Sequence, residues 1–262
     1  MAGTCSAFPA IEVIAMIQRL LLAGMLSGLI VAVFAFSFAR VYAEPTIERA
    51  IALEEVGAHD HDAADEGAVS RNTQRNAGLL TGIAAYCTAL GAFLAIGLAC
   101  VHGRLSVRPR STVWTLALTG YVALVLVPQL KYPASPPGVG SADTIGSRTE
   151  LYFVMIMLSA TCLAASVWIA YRSRRRMKPM IAASIGGGTF VALATVLMTI
   201  MPAMSETPHD FPSGLLFEFR VHAGVLQLIV WGGLGVLFGQ AAEHVIEHDR
   251  SQGVSRHGMP NA

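Results

Sequence analysis

A short run of imidazole and carboxylate side chains, His59-Asp60-His61-Asp62, has the composition of a site for a divalent transition metal. Imidazole nitrogen and carboxylate oxygen are ligands that such ions accept in proteins, and four in succession can wrap one ion without a folded scaffold. The same run also fits a solvated acidic loop, because short His-rich tracts are compositional evidence only. We therefore predict metal capture by this run and keep the solvated loop as its alternative.

A second set of ligand types lies further along the chain. His209 and Asp210 are adjacent, and Glu218 and His222 are four residues apart, which places their side chains on one face of a helix. Together these four residues predict a further metal site. The alternative is that Glu218, Arg220 and His222 form a structural polar cluster at the edge of an apolar helix.

A third pair of histidines, His244 and His248, has the i,i+4 spacing that allows two imidazoles to bind one ion. Glu243 and Glu247 stand beside them. The pair predicts a site where metal is received after it has crossed a membrane. A solvated helix end is the alternative.

The composition indicates a membrane protein. The chain has 262 residues, of which 54% are hydrophobic and 13% charged, against about 25% charged in soluble domains. This hydrophobicity excludes disorder for most of the chain, and a net charge of +1 without a basic domain excludes a nucleic-acid binder. Four cysteines in a chain of this length do not indicate a disulfide scaffold.

Six apolar segments are each close to the length of about 20 residues that a transmembrane helix needs. They are too long and too uniformly apolar for the alternating strands of an outer-membrane barrel. We therefore predict an all-α, multi-pass transmembrane helical bundle with about six spans. The segments are Leu20–Ala39, Asn76–Val101, Ser111–Leu130, Leu151–Tyr171, Met180–Met204 and Val221–Ala242.

The distribution of Lys and Arg predicts the orientation. The short connections 102–110 and 172–178 carry eight of the eighteen basic residues, so we expect them in the cytoplasm. With six spans, both termini then lie in the cytoplasm. We expect the chain to lie in the plasma (inner) membrane. In this scheme the bundle covers residues 20–242, with a cytoplasmic segment 1–19, a cytoplasmic tail 243–262 and the outer loops 40–75, 131–150 and 205–220.

Local patterns predict further details. Pro45 at a first helical turn, with Ile47 and Ile51 four residues apart, indicates a short amphipathic helix at the membrane interface. Asp143 is placed to cap the fourth span. Three GxxxG spacings predict close helix packing, and they are Gly24/Gly28, Gly78/Gly82 and Gly235/Gly239. The run Gly186-Gly187-Gly188-Thr189 lacks a following Lys and lies within a span, so no ATP site is predicted.

The second outer loop is rich in proline and glycine, which makes it stiff and specifically turned. The run from Leu130 to Thr149, LKYPASPPGVGSADTIGSRT, closely resembles the signature of the CbtA family of predicted cobalt transporter subunits. The start of the chain, with Glu44-Pro45 after an apolar helix, and the DFP…FEFR segment from Asp210 to Arg220 resemble it too. The motif residues are Lys131, Tyr132, Pro133, Pro136, Pro137, Gly138, Asp143 and Arg148.

The resemblance covers residues 14 to 240 and implies a multi-pass protein with about five spans that is linked to cobalamin biosynthesis. It also implies a small His-bearing partner subunit, CbtB. Cobalt or nickel would be the transported species, since both accept His and carboxylate ligands. We expect no tightly bound cofactor, no enzymatic activity, and contact with membrane lipid.

The predicted spans contain no Asp, Glu, Lys or Arg, although transport sites commonly include an intramembrane ionisable group. We therefore expect a CbtB-type subunit or a homo-oligomer to supply further ligands. The resulting hypothesis is a membrane subunit of a cobalt uptake system that captures the ion with outer-loop His and Asp. The alternative is a non-transporting accessory subunit packed against a larger membrane complex.

Overall fold

The computed structural model describes residues 7–57, 70–102, 107–137, 139–140, 142–204 and 211–257, and these residues contain helices and no strand. Six helical segments in this part of the chain are long and apolar enough to cross a membrane, which confirms the predicted all-α class and about six spans. They are Ile14–Glu54, Arg71–Val101, Pro109–Lys131, Ile145–Ser173, Pro179–Ile200 and Ser213–Asp249. The count differs from the five or so spans that the family resemblance implies.

The helices of the described residues are numbered here in chain order. They are α1 (Ala7–Phe38), α2 (Glu44–Gly57), α3 (Arg71–Thr73), α4 (Leu79–Val101), α5 (Pro109–Tyr121), α6 (Val127–Lys131), α7 (Ile145–Ser173), α8 (Pro179–Ile200) and α9 (Ser213–His257).

Pro45 and Pro128 lie in the middle of helical segments, and each follows a π-helical turn. Pro45 follows the turn Ala39–Ala43, and Pro128 follows the turn Val122–Leu126. A proline ring clashes with the carbonyl group four residues earlier and cannot donate to it. In both cases that carbonyl lies inside the π turn, where the wider helix relieves the clash. The helical path therefore continues through both prolines.

Several helices extend beyond the predicted spans. The first span continues through the turn Ala39–Ala43 into α2, and α9 continues to His257, well past the predicted boundary at residue 242. The amphipathic helix predicted after Glu44 is present as α2. Its most deeply buried side chains are Thr46 and Ala50, one position before the predicted Ile47/Ile51 stripe.

The chain divides into two compact units. The first contains Met1–Glu44, Asp62–Leu118 and Gly224–Ala262, and the second contains Pro45–His61 and Thr119–Ala223. Helices α5 and α9 each contribute residues to both units.

In the first unit, α1 and α4 pack backbone against backbone. A Cβ atom at Gly24 would overlap the carbonyl group of Gly91, and a Cβ atom at Gly28 would overlap that of Cys87. Only glycine permits this approach, so the prediction for Gly24/Gly28 is confirmed.

The two other glycine pairs differ in outcome. Gly235 and Gly239 lie against Trp114 and Arg110 of α5, so close packing is confirmed there. For the third pair the prediction is wrong: both glycines are exposed, and no atom of the described residues lies within 4 Å of the position of a Cβ at Gly82. The spacing is the same, but the face that carries it is not covered by a neighbouring described helix.

The second unit has its apolar core between α6, α7 and α8. Gly186 of α8 allows close approach to Ser166 and Ala170 of α7. The buried side chains of this core are Ala123, Val127, Met155, Phe190, Ala194, Leu197 and Met201.

Candidate functional site

A polar cluster joins the start of α2 to the start of α9 in the second unit. We call Thr46, Arg49, Glu218 and His222 the Arg49–Glu218 cluster. Arg49 Nη2 donates to Glu218 Oε1 at 2.6 Å, and Thr46 Oγ1 donates to the same oxygen at 3.3 Å. His222 Nδ1 lies 3.2 Å from Thr46 Oγ1. The cluster therefore holds the first turns of the two helices together.

Helical spacing explains how four side chains meet. Thr46 and Arg49 are three residues apart on α2, and Glu218 and His222 are four residues apart on α9, so each pair lies on one helix face. Both Glu218 and His222 contact Thr46, which has no solvent-exposed surface. The prediction that Glu218 and His222 share a face is confirmed.

The charge of Glu218 is balanced by Arg49 rather than by a residue near it in sequence. Arg220, which the structural alternative placed beside Glu218, instead donates from Nε to the backbone carbonyl of Ala134 at 3.3 Å. A divalent cation at Glu218 and His222 would have to displace the guanidinium of Arg49. In the described conformation, the cluster is a structural contact between two helices.

The proline-rich loop is fixed by side-chain hydrogen bonds to carbonyl groups. Lys131 Nζ donates to the carbonyl of Met198 at 2.8 Å, and Tyr132 Oη donates to that of Pro202 at 2.8 Å. Burial raises the pKa of the Tyr132 hydroxyl, which keeps it protonated as a donor. These bonds attach the beginning of the loop to the end of α8.

The far end of the loop is held by Arg148 of α7, whose Nη1 donates to the carbonyl of Val139 at 3.1 Å. Gly140 has φ +97°, and a Cβ atom there would overlap the guanidinium of Arg148. Glycine is therefore required at this position for both backbone conformation and space. The prediction that Asp143 caps α7 is wrong: Asp143 lies in the preceding 3₁₀ turn, and Thr144 takes the capping position.

Together these contacts make the loop the wall of a cavity of about 670 Å³ in the second unit. Of the predicted motif residues, Lys131, Tyr132, Pro133 and Arg148 line the cavity. Pro136 is buried, Pro137 is half-buried, and Gly138 lies outside the described residues. The loop is held in a defined conformation, as its proline and glycine content predicted.

A comparison with protein families gives a match that covers most of the chain. The family model described as probable cobalt transporter subunit (CbtA) matches residues 17–243. The chain belongs to the CbtA family. No curated protein and no solved structure matches the chain.

The match spans all six apolar helices and the proline-rich loop, so the resemblance found in the sequence is confirmed. Members of the CbtA family are subunits of a transport system, which implies that other components take part. Six apolar helices suggest that this member is a multi-pass membrane protein.

The predicted metal ligands are distributed unevenly over this CbtA member. His59, Asp60, His61 and Asp62, and likewise His209 and Asp210, lie outside the described residues. Within the described ranges, no group of three or more His, Cys, Asp or Glu side chains is arranged to hold a metal ion. Metal binding by any of these residues remains a prediction.

His244 and His248 are exposed on α9 and line a shallow cleft of the first unit with Arg19 of α1. Arg19 forms an ion pair with Asp249. The guanidinium therefore brings positive charge into the cleft and occupies the carboxylate of Asp249. Both effects oppose a cation at this histidine pair.

Sequence reasoning missed the ion pairs that join distant segments. Glu44, which is 3% exposed, accepts a hydrogen bond from Arg71 Nη2 at 2.7 Å in the first unit. Arg49 and Glu218 are 169 residues apart. No local spacing in the sequence indicates either ion pair. The sequence signal was that charged residues are concentrated at the ends of the apolar spans.

Proposed function

We propose that this CbtA member is the membrane subunit of a cobalt uptake system that supplies cobalamin biosynthesis. It takes up Co²⁺, or Ni²⁺, which accepts the same ligands. Outer-loop His and Asp side chains capture the ion, and the subunit passes it inward together with a partner. The observation that carries the proposal is the family match over residues 17–243. The chain lies in the plasma membrane with both termini in the cytoplasm.

Capture is the role of His59, Asp60, His61 and Asp62. Two imidazoles and two carboxylates within four residues provide ligands for a borderline divalent ion at any of several geometries. The tract begins two residues after Gly57, the last residue of α2.

The Arg49–Glu218 cluster supports a second stage. It anchors the first half of α2 at Arg49, and Gly57 at the end of α2 lies eight residues further, about 12 Å along the helix. An ion released from the tract binds Glu218 and His222 when Arg49 dissociates from the Glu218 carboxylate. Both side chains of that ion pair are partly exposed, so the exchange costs little. His209 and Asp210 precede the same helix and complete the ligand set.

Passage across the membrane needs a partner. The apolar segments contain no Asp, Glu, Lys or Arg, and an isolated divalent ion in hydrocarbon costs tens of kcal/mol. A small His-bearing subunit of the CbtB type, or a second copy of this chain, supplies the missing ligands. Inward movement of a divalent cation gains about 4.6 kcal/mol per 100 mV of membrane potential, so ATP is not required. His244 and His248 receive the ion on the cytoplasmic side, which requires the Arg19 guanidinium to move out of their cleft.

A second candidate function is a non-transporting accessory subunit. The observation that favours it is the absence of a three-ligand group from the part of the chain that the structure describes. In this case the close helix contacts at Gly24 and Gly235 serve only to build a scaffold for a larger complex.

Reconstitution distinguishes the two functions. Proteoliposomes containing the chain with its small partner, under an inside-negative potential, should accumulate cobalt, and liposomes with the partner alone should not. Equal accumulation with and without the chain contradicts a transport role. Purification in constant proportion with a large complex, without bound cobalt, would then support the accessory role.

A further inference from the structure

A partly open cavity lies behind the proline-rich loop in the second unit. Its volume of about 670 Å³ falls in the range of small-molecule sites. The cobalt pathway proposed above makes no use of it. The residues that line the cavity therefore indicate which ligand it can bind.

The walls carry positive charge. Lys131, Arg148 and Arg220 all line the cavity, and none of its described lining residues is acidic. Among the described residues, neither Lys131 nor Arg220 forms an ion pair with a carboxylate. Three like charges in one half-buried space repel a divalent cation and attract an anion.

Two of the cations are positioned by neutral groups. Lys131 Nζ donates to the carbonyl group of Met198, and Arg220 Nε donates to that of Ala134. A carbonyl oxygen fixes a cationic side chain but leaves its charge in place. Arg220 uses only Nε, so its two Nη groups are available to a ligand within the described surroundings.

The polar groups between the cations are suited to the same ligand. Ser135, Thr149 and Tyr152 line the cavity with hydroxyl groups that can donate hydrogen bonds. Guanidinium groups bind carboxylate and phosphate oxygens in pairs, with short and strong hydrogen bonds. A small oxyanion would therefore find charge and hydrogen-bond donors on several sides.

We propose that this cavity is a binding site for an oxyanion, with phosphate or carboxylate oxygens held by Arg220, Lys131 and Arg148. The family's most distinctive segment is thus an anion site, not a metal site. The anion is either free in solution or the headgroup of an anionic lipid, since the loop adjoins the end of a span. The proposal does not rest on cobalt transport.

Two binding experiments on the full chain test the proposal. In detergent, the thermal unfolding temperature is measured with phosphate, citrate or chloride at equal ionic strength. In nanodiscs, it is compared between phosphatidylcholine alone and phosphatidylcholine with phosphatidylglycerol. Because phosphate and citrate stabilise folded proteins generally, only stabilisation over chloride that is lost in Arg220→Gln identifies a free anion. Stabilisation confined to phosphatidylglycerol identifies a lipid headgroup. Absence of stabilisation in every arm overturns the proposal.

Variants locate the bound anion. Arg220→Gln should weaken the affinity by about tenfold, as expected for loss of one bidentate charged contact, and Lys131→Gln should act in the same direction. Arg176→Gln, at an exposed arginine outside the cavity, should bind as the wild type does. If Arg220→Gln does not fold, Arg220→Lys keeps the charge and removes the paired donors, so its affinity should still fall. Unchanged affinity in every folded cavity variant contradicts the assignment.

Discussion

Arg49 Nη2 lies 2.6 Å from Glu218 Oε1, so the carboxylate that the sequence offers as a metal ligand already has a cationic partner. The two side chains come from α2 and α9 and are about half exposed, at 54% and 39%. A pair of this exposure contributes about 1 kcal/mol or less to stability. It can therefore open without unfolding the helices that carry it.

Removing this guanidinium should make the site bind cobalt more tightly. For Arg49→Gln we expect cobalt affinity to rise by up to about fivefold, because an ion pair worth about 1 kcal/mol or less no longer has to be broken. Isothermal titration calorimetry of the purified chain with cobalt measures this affinity. The double variant Arg49→Gln with Glu218→Gln should lose the gain. Affinity in Arg49→Gln equal to that of the wild type would show that Glu218 and His222 are structural only.

The contact between α1 and α4 should not tolerate a methyl group. Gly24→Ala would place Cβ against the Gly91 backbone, which has no rotamer with which to move aside. Overpacking of this kind costs about 1–3 kcal/mol, and we expect the upper end of that range. Thermal unfolding followed by circular dichroism measures the loss.

Gly82→Ala is the matched control, because Gly82 lies in α4, the helix that α1 packs against, and a Cβ there meets no described atom within 4 Å. It should leave stability unchanged or raise it slightly, since Ala favours a helix by about 1 kcal/mol over Gly. Equal destabilisation by the two substitutions would argue against a specific contact at Gly24.

The contrast between these glycines illustrates how far sequence reasoning reaches. The six spans were predictable because hydrocarbon demands an uninterrupted apolar run, and each run is visible locally. The GxxxG spacing was equally visible at Gly24 and Gly78, but only the first is covered by another helix. A spacing reports which side chains share a face, whereas tertiary packing decides what that face meets.

The same limit applies to the candidate site. Glu218 and His222 were predictable as neighbours on one helix, but Arg49 reaches Glu218 from 169 residues away. The composition of the proline-rich loop indicated a stiff turn. Its cavity, however, depends on Arg148 and Arg220, which come from α7 and α9. Long-range ion pairs and cavities of this kind leave no local pattern.

Orientation in the membrane is open to chemical labelling. In a chain whose four native cysteines are replaced by serine, Ser135→Cys in the proline-rich loop should react with an impermeant maleimide on intact cells. Met177→Cys, an exposed position in the basic connection 172–178, should react only after permeabilisation. Reaction of both positions from the same side, or the reverse pattern, would contradict the proposed orientation.

The capture step is tested most directly by the initial rate of cobalt uptake, measured over a range of cobalt concentrations in cells that carry the chain and its partner. His59→Ala with His61→Ala should slow uptake severalfold at limiting cobalt and leave the rate at saturating cobalt nearly unchanged, because ligands for capture are lost while the pathway is intact. Asp65→Asn with Glu66→Gln, which removes charge nearby but no imidazole, should have a much smaller effect. Uptake at limiting cobalt that is the same in the histidine variant and the wild type would contradict capture by this tract.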